Sequence, residues 1–126
     1  MKFRTPLKKA KGQGAAGSGT AHFIHQRFTA VALIPLTFLF VCFLMSLLAA
    51  ERFSEVADKL SNPFWTTTLL LFLCAAFYHG MLGVQIIIED YISSKKAKLA
   101  LLIALRLAVA FFALLGILSV LFIALS

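Results

Sequence analysis

The chain has 126 residues, of which 61% are hydrophobic and only 13% charged, and its mean hydropathy is +0.95. Soluble domains sit nearer half apolar and a quarter charged, so a water-soluble globule is excluded, and 13 phenylalanines exclude a disordered polar chain. The net charge of +7 suits nucleic acid in a soluble protein, but no basic stripe interleaved with aromatics occurs here, and basic residues gathered at the cytoplasmic ends of membrane spans account for it.

Residues 1–27 form a basic, glycine-rich arm and an amphipathic approach to the membrane: Lys2, Arg4, Lys8, Lys9 and Lys11, then Gly12, Gly14, Gly17 and Gly19. Segments of Gly, Ser and Ala in this mixture carry little helix propensity, so residues 1–20 are predicted to be an extended arm on the membrane surface. A secretory signal would have an apolar region of roughly 7–15 residues. The uncharged run over residues 28–50 is longer and is predicted to be transmembrane helix 1. Pro35 lies inside it, which membrane helices tolerate when neighbours satisfy the freed carbonyl. Residues 51–63 are a polar outer loop ending in Asn62-Pro63, a turn and helix-start signal. Transmembrane helix 2 follows over residues 64–88, a cytoplasmic loop over 89–98, and transmembrane helix 3 over 99–125. Arg106 alone interrupts the last span, close enough to its start to snorkel or to pair with a partner.

Each run is long enough to cross roughly 30 Å of hydrocarbon, and no length remains for a soluble catalytic domain. Orientation follows the Lys/Arg bias. Lys and Arg are dense before the first span and in the second loop, sparse in the first loop (Arg52, Lys59) and absent after the last span. The expected fold class is therefore an all-α membrane protein with three transmembrane helices, N-terminus inside and C-terminus outside. Cys42 and Cys74 fall in apolar runs and read as small buried residues; no zinc or iron–sulfur spacing is present. No internal repeat is visible, so an inverted-repeat transporter is not supported.

Three places can carry chemistry. An ionisable side chain within a span is costly and marks a functional site by default, and His79 is the clear case, about nine residues before the inner border of span two. Two roles suit it: a neutral imidazole ligating a metal or haem iron, or an interhelical hydrogen bond. At 100° per residue His79, Gly83, Ile86 and Asp90 share a face, extended outward by Ala75 and Ala76. Small residues around a histidine leave a recess that a flat macrocycle needs; they also permit close helix packing. The second place is the inner border itself, where Asp90 and Tyr91 offer a carboxylate and a phenol beside apolar surface. A quinone needs that combination, although polar residues and an interfacial Tyr also mark any helix exit. Glu89 is read in that plainer way. The third is His22-Phe23-Ile24-His25-Gln26-Arg27-Phe28-Thr29-Ala30. Arg27 suits a carboxylate or propionate and serves equally as a positive-inside anchor. His22 and His25 are three apart, but no third ligand for a metal is evident.

Three features together resemble a known family: the glycine-rich leader running into His22 through Ala30, the segment Tyr78-His79-Gly80-Met81-Leu82-Gly83-Val84-Gln85-Ile86-Ile87-Ile88-Glu89-Asp90-Tyr91, and the three-span layout. The chain resembles the hydrophobic membrane-anchor subunit (D chain) of succinate dehydrogenase, respiratory complex II, of the alphaproteobacterial type. The resemblance implies that His79 is an axial ligand of haem b, the second ligand coming from the companion cytochrome b anchor (C chain). It implies that Asp90 and Tyr91 border the ubiquinone site, with the tyrosine bonding a quinone carbonyl. It implies that Arg27, and less directly His22, lies near the haem propionates or the quinone pocket. The expected partners are that second anchor, an iron–sulfur subunit, a flavoprotein subunit and the lipid bilayer, with no nucleic acid. The expected location is the bacterial inner membrane, as a multi-pass subunit of succinate:quinone oxidoreductase. Two rivals stand beside this reading: a fumarate reductase anchor using menaquinone, and a small non-redox membrane assembly protein.

Overall fold

A computed structural model describes residues 5, 6 and 19–126. The arm expected over residues 1–20 lies almost wholly outside the described residues; its last two, Gly19 and Thr20, are already helical. Four helices follow: α1 (Gly19–Leu47), α2 (Phe53–Ser61), α3 (Pro63–Tyr91) and α4 (Lys95–Ala124). The three long ones, of 29, 29 and 30 residues, are long and apolar enough to cross a membrane. At 1.5 Å per residue each reaches about 43–45 Å, which exceeds the hydrocarbon thickness of about 30 Å. The helix of span one therefore begins well before residue 28 and carries His22, Gln26 and Arg27 on regular helical geometry.

Residues 51–63 hold more structure than a polar loop. Phe53, Val56, Ala57 and Leu60 recur at helical spacing and form the apolar face of α2, whose Leu60 is buried. Asn62 joins two helices. Its backbone N–H bonds the Lys59 carbonyl and ends α2, while its side chain accepts from the Phe64 N–H at 2.9 Å and Pro63 opens α3. That is the N-cap and first-turn proline arrangement. Between α3 and α4 only Ile92, Ser93 and Ser94 are non-helical, and Ser94 is the N-cap of α4.

Two lysines tie consecutive helices together. Lys59 donates to the Ser46 carbonyl in the last turn of α1, and Lys98 donates to the Glu89 carbonyl in the last turn of α3 at 2.9 Å. Both place a cation on orphan carbonyls at the negative end of a helix.

Helix α3 is central. It packs along α1 and along α4, while α1 and α4 share no comparable surface, and α2 bridges α3 and α4. The α1–α3 pair is antiparallel: the ring centroids of Phe43 and Trp65 lie 5.4 Å apart and those of Phe40 and Phe72 stack at 4.3 Å, and lower on α1 Thr29 meets His79. On the other flank Gly116 of α4 sits against Leu73, where an added Cβ would come within 3.4 Å. The buried core is small: a cluster at the α2 end, formed by Phe43, Leu60 and Leu69 with Trp65, Val56, Val120 and Ile123 packed around them, and Leu82 farther along α3. Helix α4 has no buried residue. Large apolar side chains such as Phe28, Ile34, Phe38, Leu107 and Phe122 are exposed, as expected for surfaces that face lipid or other apolar helices.

Candidate functional site

At the end of the bundle opposite that cluster, α1 and α3 meet through polar side chains. His22, Gln26 and Thr29 fall on one side of α1 by helical spacing. Thr29 is 8% exposed. Its hydroxyl oxygen stands 2.8 Å from the His25 carbonyl and 3.1 Å from the Gln26 carbonyl, the usual back-bonds of threonine to its own helix. The same oxygen is 2.9 Å from Nδ1 of His79 on α3.

One proton arrangement satisfies all three contacts. A hydroxyl has one proton to donate, and carbonyl oxygens only accept. Two oxygens at 2.8 Å with no proton between them would repel, so the Thr29 proton goes to the helix carbonyls. In that arrangement the Thr29 oxygen accepts from an N–H at Nδ1 of His79. A neutral ring so bonded keeps its lone pair on Nε2, which has no hydrogen-bond partner among the described residues.

The surroundings of His79 are small. One turn along α3, Gly83 faces α1, and a Cβ built there would lie 3.8 Å from Nε2 of Gln26; at Gly80, next to His79, an added Cβ would meet nothing within 4 Å. Ala75 and Ala76 lie a turn away on the other side. Beside this contact His25 Nδ1 and the Tyr78 hydroxyl are 2.9 Å apart, with their rings tilted at 50°. Two atoms of the seam, His22 Nε2 and Gln26 Oε1, are buried and have no hydrogen-bond partner among the described residues. A buried polar atom left unsatisfied costs about 1–3 kcal/mol.

The other sequence-derived candidates stand apart from His79. Asp90 and Tyr91 close α3, both exposed, with Tyr91 at 83%. They lie about 16–18 Å along the axis from His79. Neither side chain has a hydrogen bond to another described residue, whereas Glu89 accepts from Gln85 Nε2 at 2.8 Å. Arg27 is exposed, with its guanidinium carbon 5.2 Å from the centre of the Phe23 ring. Two residues from Thr29, it points about 160° away around α1, so the fold brings His22, but not Arg27, onto the seam. Arg106 is exposed on α4. Sequence reasoning did not single out Thr29, Gln26 or Tyr78 as site residues. Thr29 carried a usable signal, since it lies one helical turn beyond His25 and two beyond His22.

A membrane-spanning pair joined by a threonine–histidine bond, with an uncommitted imidazole nitrogen, is the setting against which the relatives can be read. The family model described as succinate dehydrogenase/fumarate reductase transmembrane subunit matches residues 1–123. The chain belongs to this family. Among its relatives is the succinate dehydrogenase hydrophobic membrane anchor subunit of Rickettsia bellii, 37% identical over 108 residues, covering 83% of each chain. The same-named subunit of Rickettsia conorii is 32% identical over 105 residues, again covering 83% of each. That of Paracoccus denitrificans is 30% identical over 102 residues, covering 81% of this chain and 78% of its own. The alphaproteobacterial anchor suggested by the two sequence motifs is thereby borne out, and the succinate dehydrogenase anchor family accounts for the three apolar helices.

Proposed function

We propose that this anchor holds haem b through His79, jointly with a second membrane anchor chain, and forms part of the ubiquinone-reduction site of a succinate:ubiquinone oxidoreductase. The observation that carries the reading is the 2.9 Å contact between His79 Nδ1 and the Thr29 hydroxyl: with the ring proton there, Nε2 is the donor for an iron. The donor chemistry fits, because neutral imidazole is a common haem ligand. The open space at Gly80 also suits a flat group beside α3. When bound, the haem supplies a one-electron iron couple.

The chain's own residues have separate tasks. His79 ligates, and Arg27 and His22 are assigned to the propionate or quinone side, Arg27 by its exposed guanidinium and His22 by a buried Nε2 without a partner among the described residues. Tyr91 donates its phenol proton as a hydrogen bond to a quinone carbonyl, and Asp90 relays protons from water. Reduction of the quinone to the quinol takes two electrons and two protons. The electrons come from succinate through a flavoprotein and an iron–sulfur subunit on the cytoplasmic side of the bacterial inner membrane. The protons enter at the border where Asp90 is exposed. In this reading the N-terminus and the α3–α4 turn face the cytoplasm, and α2 and the C-terminus face outward.

The decisive test is His79→Ala in the complex assembled with its partner subunits. A reduced-minus-oxidised spectrum should lose its b-type absorbance and the haem content per complex should fall. Unchanged absorbance and haem content would remove His79 as the ligand.

A further inference from the structure

We propose that Thr29 is the positioning residue for His79: its hydroxyl fixes the imidazole tautomer and ring plane so that only Nε2 is offered to iron. The proposal rests on the reading of His79 as a haem ligand and adds a residue on a different helix to that role.

Thr29 has the three properties such a device requires. First, it is conformationally set before His79 arrives. A β-branched side chain has few χ1 states in a helix, and bonding to the carbonyls three and four residues back selects among them. Its oxygen therefore points across to α3 with little loss of freedom on binding the ring. Second, its capacity as a donor is used up by the His25 and Gln26 carbonyls at 2.8 and 3.1 Å, so toward His79 it only accepts. A side chain free to donate or accept would allow both tautomers, and one of them places the proton on Nε2 and blocks ligation. Third, it is buried at 8% exposure, so water does not compete for the bond. The bond to His79 at 2.9 Å also gains strength in a medium of low dielectric.

The close approach of the helices holds the pair together. Gly83, one turn from His79, leaves α1 close enough that a Cβ there would touch Gln26 at 3.8 Å. Groups that bond the second nitrogen of a ligating histidine orient the ring and raise its basicity, and their loss typically weakens metal binding about 10- to 100-fold. Here the acceptor is a neutral hydroxyl, so the ring is oriented without acquiring the anionic character that a carboxylate partner would give it.

The test compares Thr29→Val, which keeps the shape and removes the acceptor, with Thr29→Ser, which keeps the acceptor. Both are made in the whole complex with its partner subunits. Haem per assembled complex, the haem midpoint potential and the low-spin ferric electron paramagnetic resonance spectrum are measured. Thr29→Ser should match the parent in all three. Thr29→Val should bind haem about 10- to 100-fold more weakly, or retain it with a raised potential and shifted resonance, because a weaker donor stabilises ferric iron less. Parental values of all three in Thr29→Val would overturn the proposal, and so would equal changes in both variants, since the hydroxyl would then not be the operative group. Retention of haem by His79→Ala would instead overturn the ligand assignment itself.

Discussion

Thr29 would pass unnoticed in most membrane helices, because a threonine that returns its proton to its own helix is chemically quiet. Here its oxygen still has an accepting side, and α3 presents His79 to it at 2.9 Å. His79 was legible in the sequence because an ionisable group within an apolar span needs a reason to be there. Thr29 was not, since nothing in its one-dimensional surroundings says which helix it faces. The same holds for Tyr78, whose hydroxyl meets His25 across 53 positions of sequence. Asp90 and Tyr91 were visible as a polar pair at a border; neither side chain has a hydrogen-bond partner among the described residues, while Glu89 accepts from Gln85. For the proposed quinone role, Tyr91→Phe should slow quinone reduction while succinate oxidation by artificial dyes survives. Loss of one hydrogen bond worth about 0.5–1.5 kcal/mol corresponds to a roughly 2- to 12-fold effect. Equal loss of both activities in an assay of assembled complex would exclude that role.

At the scale of elements, the three long helices follow from composition alone, because about 20 consecutive apolar residues have few other soluble or membrane solutions. Helix α2 did not stand out. Its apolar positions Phe53, Val56, Ala57 and Leu60 have helical spacing, but nine residues are too few for a helix to form on its own propensity. Packing supplies the rest: Leu60 is 6% exposed and joins Phe43 and Leu69 in the small core. Leu60→Ala should therefore lower stability by about 2–5 kcal/mol, read as a reduced thermal midpoint of the purified complex, with the spectrum of bound haem unchanged before unfolding. A midpoint equal to the parent would show that α2 is not clamped by this side chain. The lysines at the two connections also gain a second meaning. Lys59 and Lys98 were read as charges flanking a membrane, and both also close the last turn of the preceding long helix.

For the molecule as a whole, the basic residues predict a single orientation. A periplasm-dependent reporter such as alkaline phosphatase should be active when fused after Ser126 and inactive when inserted at Ser93. The opposite pattern would reverse the assigned sides and move Asp90 and Tyr91 away from the proposed electron-donating partners. Helix α3 presents Phe72 and His79 to α1 and Leu73 to α4. Successive residues are 100° apart, so its two neighbours stand around it at an angle, without closing into a ring. Beyond its few buried side chains, a chain only one helix deep has little inside of its own. What counts as interior along α1 and α4 is decided by whichever lipids or subunits lie against them. Its tolerance to substitution is therefore less a record of its own packing than an imprint of its neighbours, and a map of intolerant positions on α4 would trace their footprint.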